Sequence, residues 1–347
     1  MLPEIPILME QYRALLEILP EQHPEYPNML TYYRRQEAGR KGEDSLCYYL
    51  EQAQVPSLHL LNGLRLEHPS SFQLDWLVLG LGFRAIFEVK SHTGEIYFDA
   101  KSHQLTRTIA GVTEGFDDPL LQVDRQYAKM RTFLSDHVIY QLPTYRFVVF
   151  VNRNVILRLH DYPEYKRVLT AQQVPSILEA LAEQHPPVIS EEANQAIAHF
   201  LVNNHRERMA SILEKHHILW DDLIKGVPCP NCSRRSMNRT RMRWQCEYCD
   251  TRSTDAHLPV LYYLALLTGN QLTKRLVQSF LQIESGEATR KLITRAGYVK
   301  FGVKKGVYYS HPYILAATKN ESGHKSQKSG HKTIESGHKI YKSGHEI

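Results

Sequence analysis

The chain has 347 residues, 42% hydrophobic and 23% charged, with a formal net charge of +5. That length holds two or three domains of about 100–200 residues each, and the apolar share is ordinary for packed cores. No apolar run approaches the ~20 residues of a membrane span. The start carries Pro3, Glu4, Pro6 and Glu10 with no basic lead, unlike a secretory signal, so a cytoplasmic protein without a membrane partner is expected. Cysteines fall in one tight cluster with Cys47 apart, which reads as a metal site in a reducing compartment and not as a disulfide framework.

In chain order, residues 1–35 form a partly helical extension broken by prolines, and residues 36–160 alternate helix and strand patterns. Residues 161–225 read as a helical connector, with Ala193, Ile197, Phe200 and Leu201 at helical spacing. Residues 226–256 hold the cysteines, residues 257–318 three short helices and a hairpin, and residues 319–347 a low-complexity tail. Ser-Gly-His recurs in the tail at Ser322, Ser329, Ser336 and Ser343, without the apolar positions of a coiled coil, so the tail is expected to be disordered.

The alternating region places carboxylates where packing alone would not favour them. Gln36–Gln52 reads as a helix on which Glu43 shares a face with Cys47 and Leu50, widened by Leu46 and Tyr49. Gln73–Leu79 and Phe83–Lys90 read as strands joined at Gly80-Leu81-Gly82. A tight turn there sets Asp75 within about one position of Glu88, while Glu88 and Lys90 share a strand face. Trp76, Leu77, Val78, Ile86, Phe87 and Val89 surround them. Like charges so placed repel and desolvate at several kcal/mol each. A divalent cation such as Mg²⁺ or Mn²⁺ removes the conflict. His92, two residues past Lys90, is within reach of a phosphate, although a lone histidine is more often incidental.

These residues resemble a known family. Lys41-Gly42-Glu43, Gln73-Leu74-Asp75, Phe87-Glu88-Val89-Lys90, Gly94-Glu95-Ile96 and Pro119-Leu120-Leu121-Gln122 form an ordered set from Gly39 to Val151. The set is similar to the nuclease-related domain (NERD) family of the PD-(D/E)XK restriction-endonuclease-like superfamily. The resemblance implies a helix, a mixed sheet of about four or five strands and flanking helices. It implies that Asp75 and Glu88 hold the metal, with Glu43 contributing directly or through water. Lys90 would orient the attacking water or steady phosphate charge, and Gln122 would position water or substrate. Leu74 departs from the proline of the superfamily motif. Gln126 stands where some relatives carry tyrosine, so only Gln122 is assigned a role.

Cys229, Cys232, Cys246 and Cys249 follow the C-x2-C, thirteen-residue, C-x2-C spacing of a zinc ribbon, whose four thiolates close a structural site. Between the pairs lie Arg234, Arg235, Arg239, Arg241 and Arg243 beside Trp244, a composition suited to phosphate contact. Helical patterns follow at Leu258–Leu267, Gln271–Leu281 and Ser285–Arg295. A hairpin comes next, Tyr298–Phe301 and Val307–Ser310, with Lys304 and Lys305 at its turn. That order looks like a winged helix, whose third helix is expected to expose Thr289, Arg290, Lys291 and Arg295. From Pro228 to Ser310 there are fourteen Lys and Arg against five Asp and Glu, a charge concentrated for a polyanion.

The expected fold class is therefore α/β: a restriction-endonuclease-like core, a small zinc ribbon and a winged-helix-like α+β module. The expected function is a metal-dependent nuclease acting on DNA, with RNA as a further candidate and protein partners unassigned. The alternative is a non-catalytic DNA-binding or regulatory protein on a nuclease fold. Retention of Asp75, Glu88 and Lys90 together argues against it.

Overall fold

The computed structural model describes residues 5–137, 139–240 and 242–318, together with the backbone of Tyr341 and Lys342. Arg241 and the Ser-Gly-His repeat lie outside the described residues. Two compact units are present, one built on Glu37–Arg206 and the other on Pro3–Gln36 with Glu207–Lys325. No helix among the described residues is long and apolar enough to cross a membrane.

The chain opens with α1 (Ile7–Ile18) and α2 (Tyr26–Leu50). Helix α2 begins well before the Gln36 start expected from sequence. Pro27 falls in its first turn, where a missing N–H costs nothing. Further along, Lys41–Glu37 and Arg40–Asp44 pair at i,i+4 on its wet side. Leu46 and Leu50 are buried on the opposite side, as the helical spacing requires.

In the first unit, β1 (His59–Glu67), β2 (Ser71–Leu79) and β3 (Arg84–Lys90) form an antiparallel run. Strands β4 (Gly94–Asp99), β5 (Gln104–Ile109) and β6 (Val112–Asp117) follow, then α3 (Pro119–Asp136), β7 (Thr144–Phe150), β8 (Val155–Arg158) and β9 (Val168–Thr170). Strands β7 and β9 join the main sheet parallel to β3, giving the order β1-β2-β3-β7-β9, with Tyr341–Lys342 outside β1. Helices α4 (Val174–Gln184) and α5 (Glu191–Asn203) complete the layers. One face buries Leu77, Ile86, Val148 and Phe150 against Val123, Met130 and Phe133 of α3 and Leu201 of α5. The other buries Trp76, Phe87 and Val149 against Leu46 and Leu50 of α2 and Leu178 of α4.

Beyond the four or five strands expected, β6-β5-β4-β8 form a separate four-stranded sheet. Its short strands carry polar residues at the outward positions, such as Thr106 and Thr108, so the apolar alternation is faint. Gly94 opens β4 with φ +86°, and a Cβ there would stand 2.6 Å from the Thr108 carbonyl oxygen. Strand β9 and helices α4 and α5 lie within the stretch read from sequence as a helical connector and belong to this unit.

The second unit contains α1, the short α6 (Ile212–Lys215) and the three-stranded β10 (Met237–Thr240), β11 (Arg243–Cys246) and β12 (Arg252–Ser253). Then come α7 (Leu258–Leu267), α8 (Lys274–Phe280), α9 (Gly286–Arg295), the antiparallel hairpin β13 (Val299–Phe301) and β14 (Tyr308–Ser310), and α10 (Pro312–Thr318). Thr273 and Ser285 cap α8 and α9 by accepting the Leu276 and Ala288 N–H groups. The fully buried Gln11 of α1 donates to the Leu266 and Ala210 carbonyls at 2.8 Å, fixing α1 to α7. The expected exposure of Thr289 is corrected: it is 0% exposed. It lies on the same α9 stripe as Leu292 and Ile293, and its hydroxyl is satisfied by the Ser285 carbonyl.

Candidate active site and metal centre

Strand period and a tight hairpin bring the core residues together. The β2–β3 register pairs Trp76 with Phe87, so Asp75 and Glu88 are the next residues along. Asp75 Oδ2 accepts the Val89 N–H at 2.9 Å. Glu88, only 2% exposed, accepts from Lys90 Nζ at 2.6 Å through one oxygen and from Gln126 Nε2 at 3.0 Å through the other. Lys90 also donates to Gln122 Oε1 at 3.2 Å.

Helix α3 aims both glutamines. Asp118 caps it, accepting the Leu120 N–H at 2.8 Å and the Tyr162 hydroxyl at 2.8 Å, while Pro119 fits the first turn. Gln122 and Gln126 are four apart and therefore on one helix face. Sequence reasoning assigned no role to Gln126; the signal available was this i,i+4 relation. Its Oε1 is buried without a partner.

Glu43 is delivered by α2. The Trp76 indole donates to the Glu43 carbonyl at 2.8 Å. Gly42 lets the helix approach the end of β3: a Cβ there would lie 3.0 Å from Ser91 Cβ. Gly63, at φ +65°, stands between the paired Asn62 and Leu64, across from Asp75.

The electrostatics are those of three crowded acids with one close ammonium, that of Lys90 on Glu88. Burial pushes the Glu43 carboxyl up to about 7, with Asp44 and Glu88 adding to the rise and Arg40 and Lys90 opposing it. Burial, then Glu88 and Glu43, push the Asp75 carboxyl well above its ordinary range, against the Val89 N–H and Lys90. Among the described residues, no protein donor meets Asp75 Oδ1 or either carboxylate oxygen of Glu43. Hard oxygen donors with free lone pairs, held in a mutually repulsive set, fit a divalent cation such as Mg²⁺.

The zinc-ribbon cysteines form the tighter cluster. Their four sulfurs lie within 4.8 Å of one another, and no other group of three or more His, Cys, Asp or Glu among the described residues does so. Cys229–Cys249 and Cys232–Cys246 are 3.6 and 3.7 Å apart. A tetrahedron with Zn–S bonds of about 2.3 Å requires edges of about 3.8 Å. The Asn231 and Tyr248 N–H groups each point at a sulfur at 3.4 Å, and hydrogen bonds from Thr251 and Asn231 draw the Cys249 thiol down to about 6. The cluster could hold one zinc ion through four thiolates.

The basic residues of the second unit divide by environment. Arg234 lies over the Tyr248 ring at 3.3 Å, and Arg239 over Trp244 at 5.4 Å. Arg235 is committed inward, donating to the Gly226 and Glu17 carbonyls at 2.9 Å. Arg243, Arg295, Lys304 and Lys305 are exposed. Arg290 and Lys291 are also exposed, and both pair with Glu287. Arg295 is close enough to Arg239 to depress its pKa, after burial.

The chain matches no curated protein and no solved structure. Residues 38–151, the stretch that brings Glu43, Asp75, Glu88, Lys90 and Gln122 together, match the family model of the nuclease-related domain, NERD.

Proposed function

We propose that the protein is a metal-dependent nuclease that hydrolyses phosphodiester bonds in DNA, docked by its basic zinc-ribbon and winged-helix module. The observation that carries this reading is the Asp75–Glu88–Lys90 group, with Glu88 buried and its two partners half-buried, and Glu43 beside it, inside the matched stretch. Asp75 and Glu88 would hold Mg²⁺ or Mn²⁺, and Glu43 would reach the ion directly or through water. A bound cation lowers the pKa of a coordinated water and offsets charge on the phosphate.

The protein's own groups do the rest. Lys90 here neutralises Glu88; once a cation shares that carboxylate, the ammonium is free to face the phosphate or the attacking water. Gln122 holds Lys90 in line and offers its amide N–H to water or substrate. Gln126 fixes the Glu88 carboxylate by donating to its second oxygen. Exposed Arg243, Arg290, Lys291, Arg295, Lys304 and Lys305, with Arg234 and Arg239 on their aromatic rings, would contact phosphates. Arg235 serves chiefly to hold its own unit together.

The test is cleavage of labelled single- and double-stranded DNA and RNA by the intact chain with Mg²⁺ or Mn²⁺, alongside Asp75→Ala and Glu88→Gln. Cleavage of DNA that both substitutions abolish supports the reading. Cleavage that survives both, or binding of DNA without any cleavage, overturns the enzymatic role. Preference for RNA overturns the substrate.

A further inference from the structure

We propose that Arg107, with His92, forms a second phosphate-binding point beside Lys90, gripping the DNA backbone next to the site of cleavage. This rests on the nuclease reading for the identity of the substrate, and on separate residues for its geometry.

Arg107 lies on β5, in the smaller four-stranded sheet. Leu105, on the same strand face, is buried with Ile96 and Phe98, so Arg107 follows it on the inward side. There the guanidinium lies over Phe116 at 5.2 Å, pairs with Glu114 directly across on β6, and donates weakly to His92 Nδ1 at 3.4 Å. Its Nε is buried with no acceptor. A guanidinium has five N–H groups in a planar fork suited to phosphate oxygens. His92 and Glu114 take one N–H from each Nη and the buried Nε has no acceptor, so the guanidinium is under-used and its remaining Nη N–H groups can meet a phosphate. The Glu114 side chain is about half exposed, so it can yield to a phosphate.

His92 completes the point. Its ring packs on Phe116 at 4.9 Å and near Phe150 at 6.5 Å, which fixes its plane. Because Nδ1 accepts from Arg107, the ring proton belongs on Nε2, leaving that N–H as a donor. Burial, Arg107 and Lys90 all hold His92 below its ordinary pKa, so it is a neutral donor, while Glu114 opposes. Arg107 and Lys90 both lie close enough to His92 to influence it, so three donors gather in one neighbourhood, with Glu114 as the local counter-charge. A cross-strand ion pair made only for stability would need neither the orphaned Nε nor the oriented imidazole.

Binding of a labelled DNA duplex to the full chain is measured without added divalent cation over a range of salt, so that no cleavage intervenes. Arg107→Gln is expected to weaken binding several-fold and to reduce the log–log salt slope by about 0.9. Arg107→Lys should restore most of the slope, and Glu114→Gln, which removes the competing carboxylate, should tighten binding. In the cleavage assay Arg107→Gln should raise KM with kcat changed less than twofold. Unchanged affinity, slope and KM in Arg107→Gln overturn the proposal, even if its melting temperature falls. If the wild type binds DNA through Arg107 but never cleaves it, the nuclease reading fails and this phosphate grip stands.

Discussion

The raised Glu43 carboxyl would make binding of the proposed cation a pH-dependent event. The group holds its proton to about 7 in the fold, so below that pH a cation must displace it. Apparent affinity then scales with the ionised fraction: at pH 6 about one copy in eleven is ionised, at pH 8 about ten in eleven. Affinity for Mg²⁺ should therefore rise about tenfold, about 1.4 kcal/mol, between those values. The sign for stability is the reverse. In the unfolded chain the carboxyl ionises near 4.5, in the fold near 7, so the metal-free protein gains from this group below 4.5 and loses that gain as pH rises through 7. The loss is at most about 3 kcal/mol for a shift of this size. Calorimetric titration with Mg²⁺ at pH 6, 7 and 8, in two buffers of different ionisation enthalpy, reads both affinity and released protons. Glu43→Gln removes this proton and should make the profile shallower, leaving only the slope that belongs to Asp75. A wild-type affinity independent of pH, or a Glu43→Gln profile as steep as the wild type, would refute the reasoning.

The remaining expectations are separable by unit. Glu88→Gln should abolish Mg²⁺ binding detected by calorimetry while zinc content, measured by elemental analysis, stays at one per chain; loss of both metals would sink the assignment of separate sites. Cys232→Ser should release zinc and expose β10–β12 to hydrogen exchange, and full zinc retention would mean the ligand set is wrong. His257 accepts the Trp244 indole N–H at 3.1 Å, and burial, then Arg239, hold it at about 4. Its contribution is complete above about 6.5 and is lost as pH falls toward 4, a change of about 2 kcal/mol after allowance for partial solvent access. Denaturant melts of the wild type and His257→Gln should diverge over that window, and parallel curves would count against the buried neutral imidazole. Replacing Arg239, Arg243, Arg290 and Lys304 should lower the DNA salt slope by about 0.9 for each phosphate that the module no longer neutralises, and an unchanged slope would favour a protein partner for the module.

The parts of the site that sequence made legible are those governed by short-range rules. A period of two and a tight turn place Asp75 against Glu88 and align Glu88 with Lys90. The thirteen-residue spacer between C-x2-C pairs brings four sulfurs within 4.8 Å of one another. What escaped depends on long-range packing. Thr289 looks polar in the sequence, yet the fold can bury it because the Ser285 carbonyl takes its hydroxyl. Gln126 matters only because β3 presents Glu88 to α3. The second sheet is hard to foresee since its outer positions are polar and its partner strand β8 lies beyond α3 and β7. Helix α2 starts early because Pro27 reads as a breaker until it is seen to occupy a first turn.

The close approach of Gly42 to Ser91 bears on which cation the proposed site would choose. Oxygen–metal distances differ by about 0.3–0.5 Å between Mg²⁺ and Ca²⁺. A methyl group at position 42 would start 3.0 Å from Ser91 Cβ, so α2 or the end of β3 would have to give by a few tenths of an ångström, and a shift of α2 would carry Glu43 with it. That is the increment that separates the two ions. At the proposed site the absent side chain would act as a calliper: ionic radius would be gauged by how closely a helix can rest on the end of a strand, as much as by the carboxylates themselves.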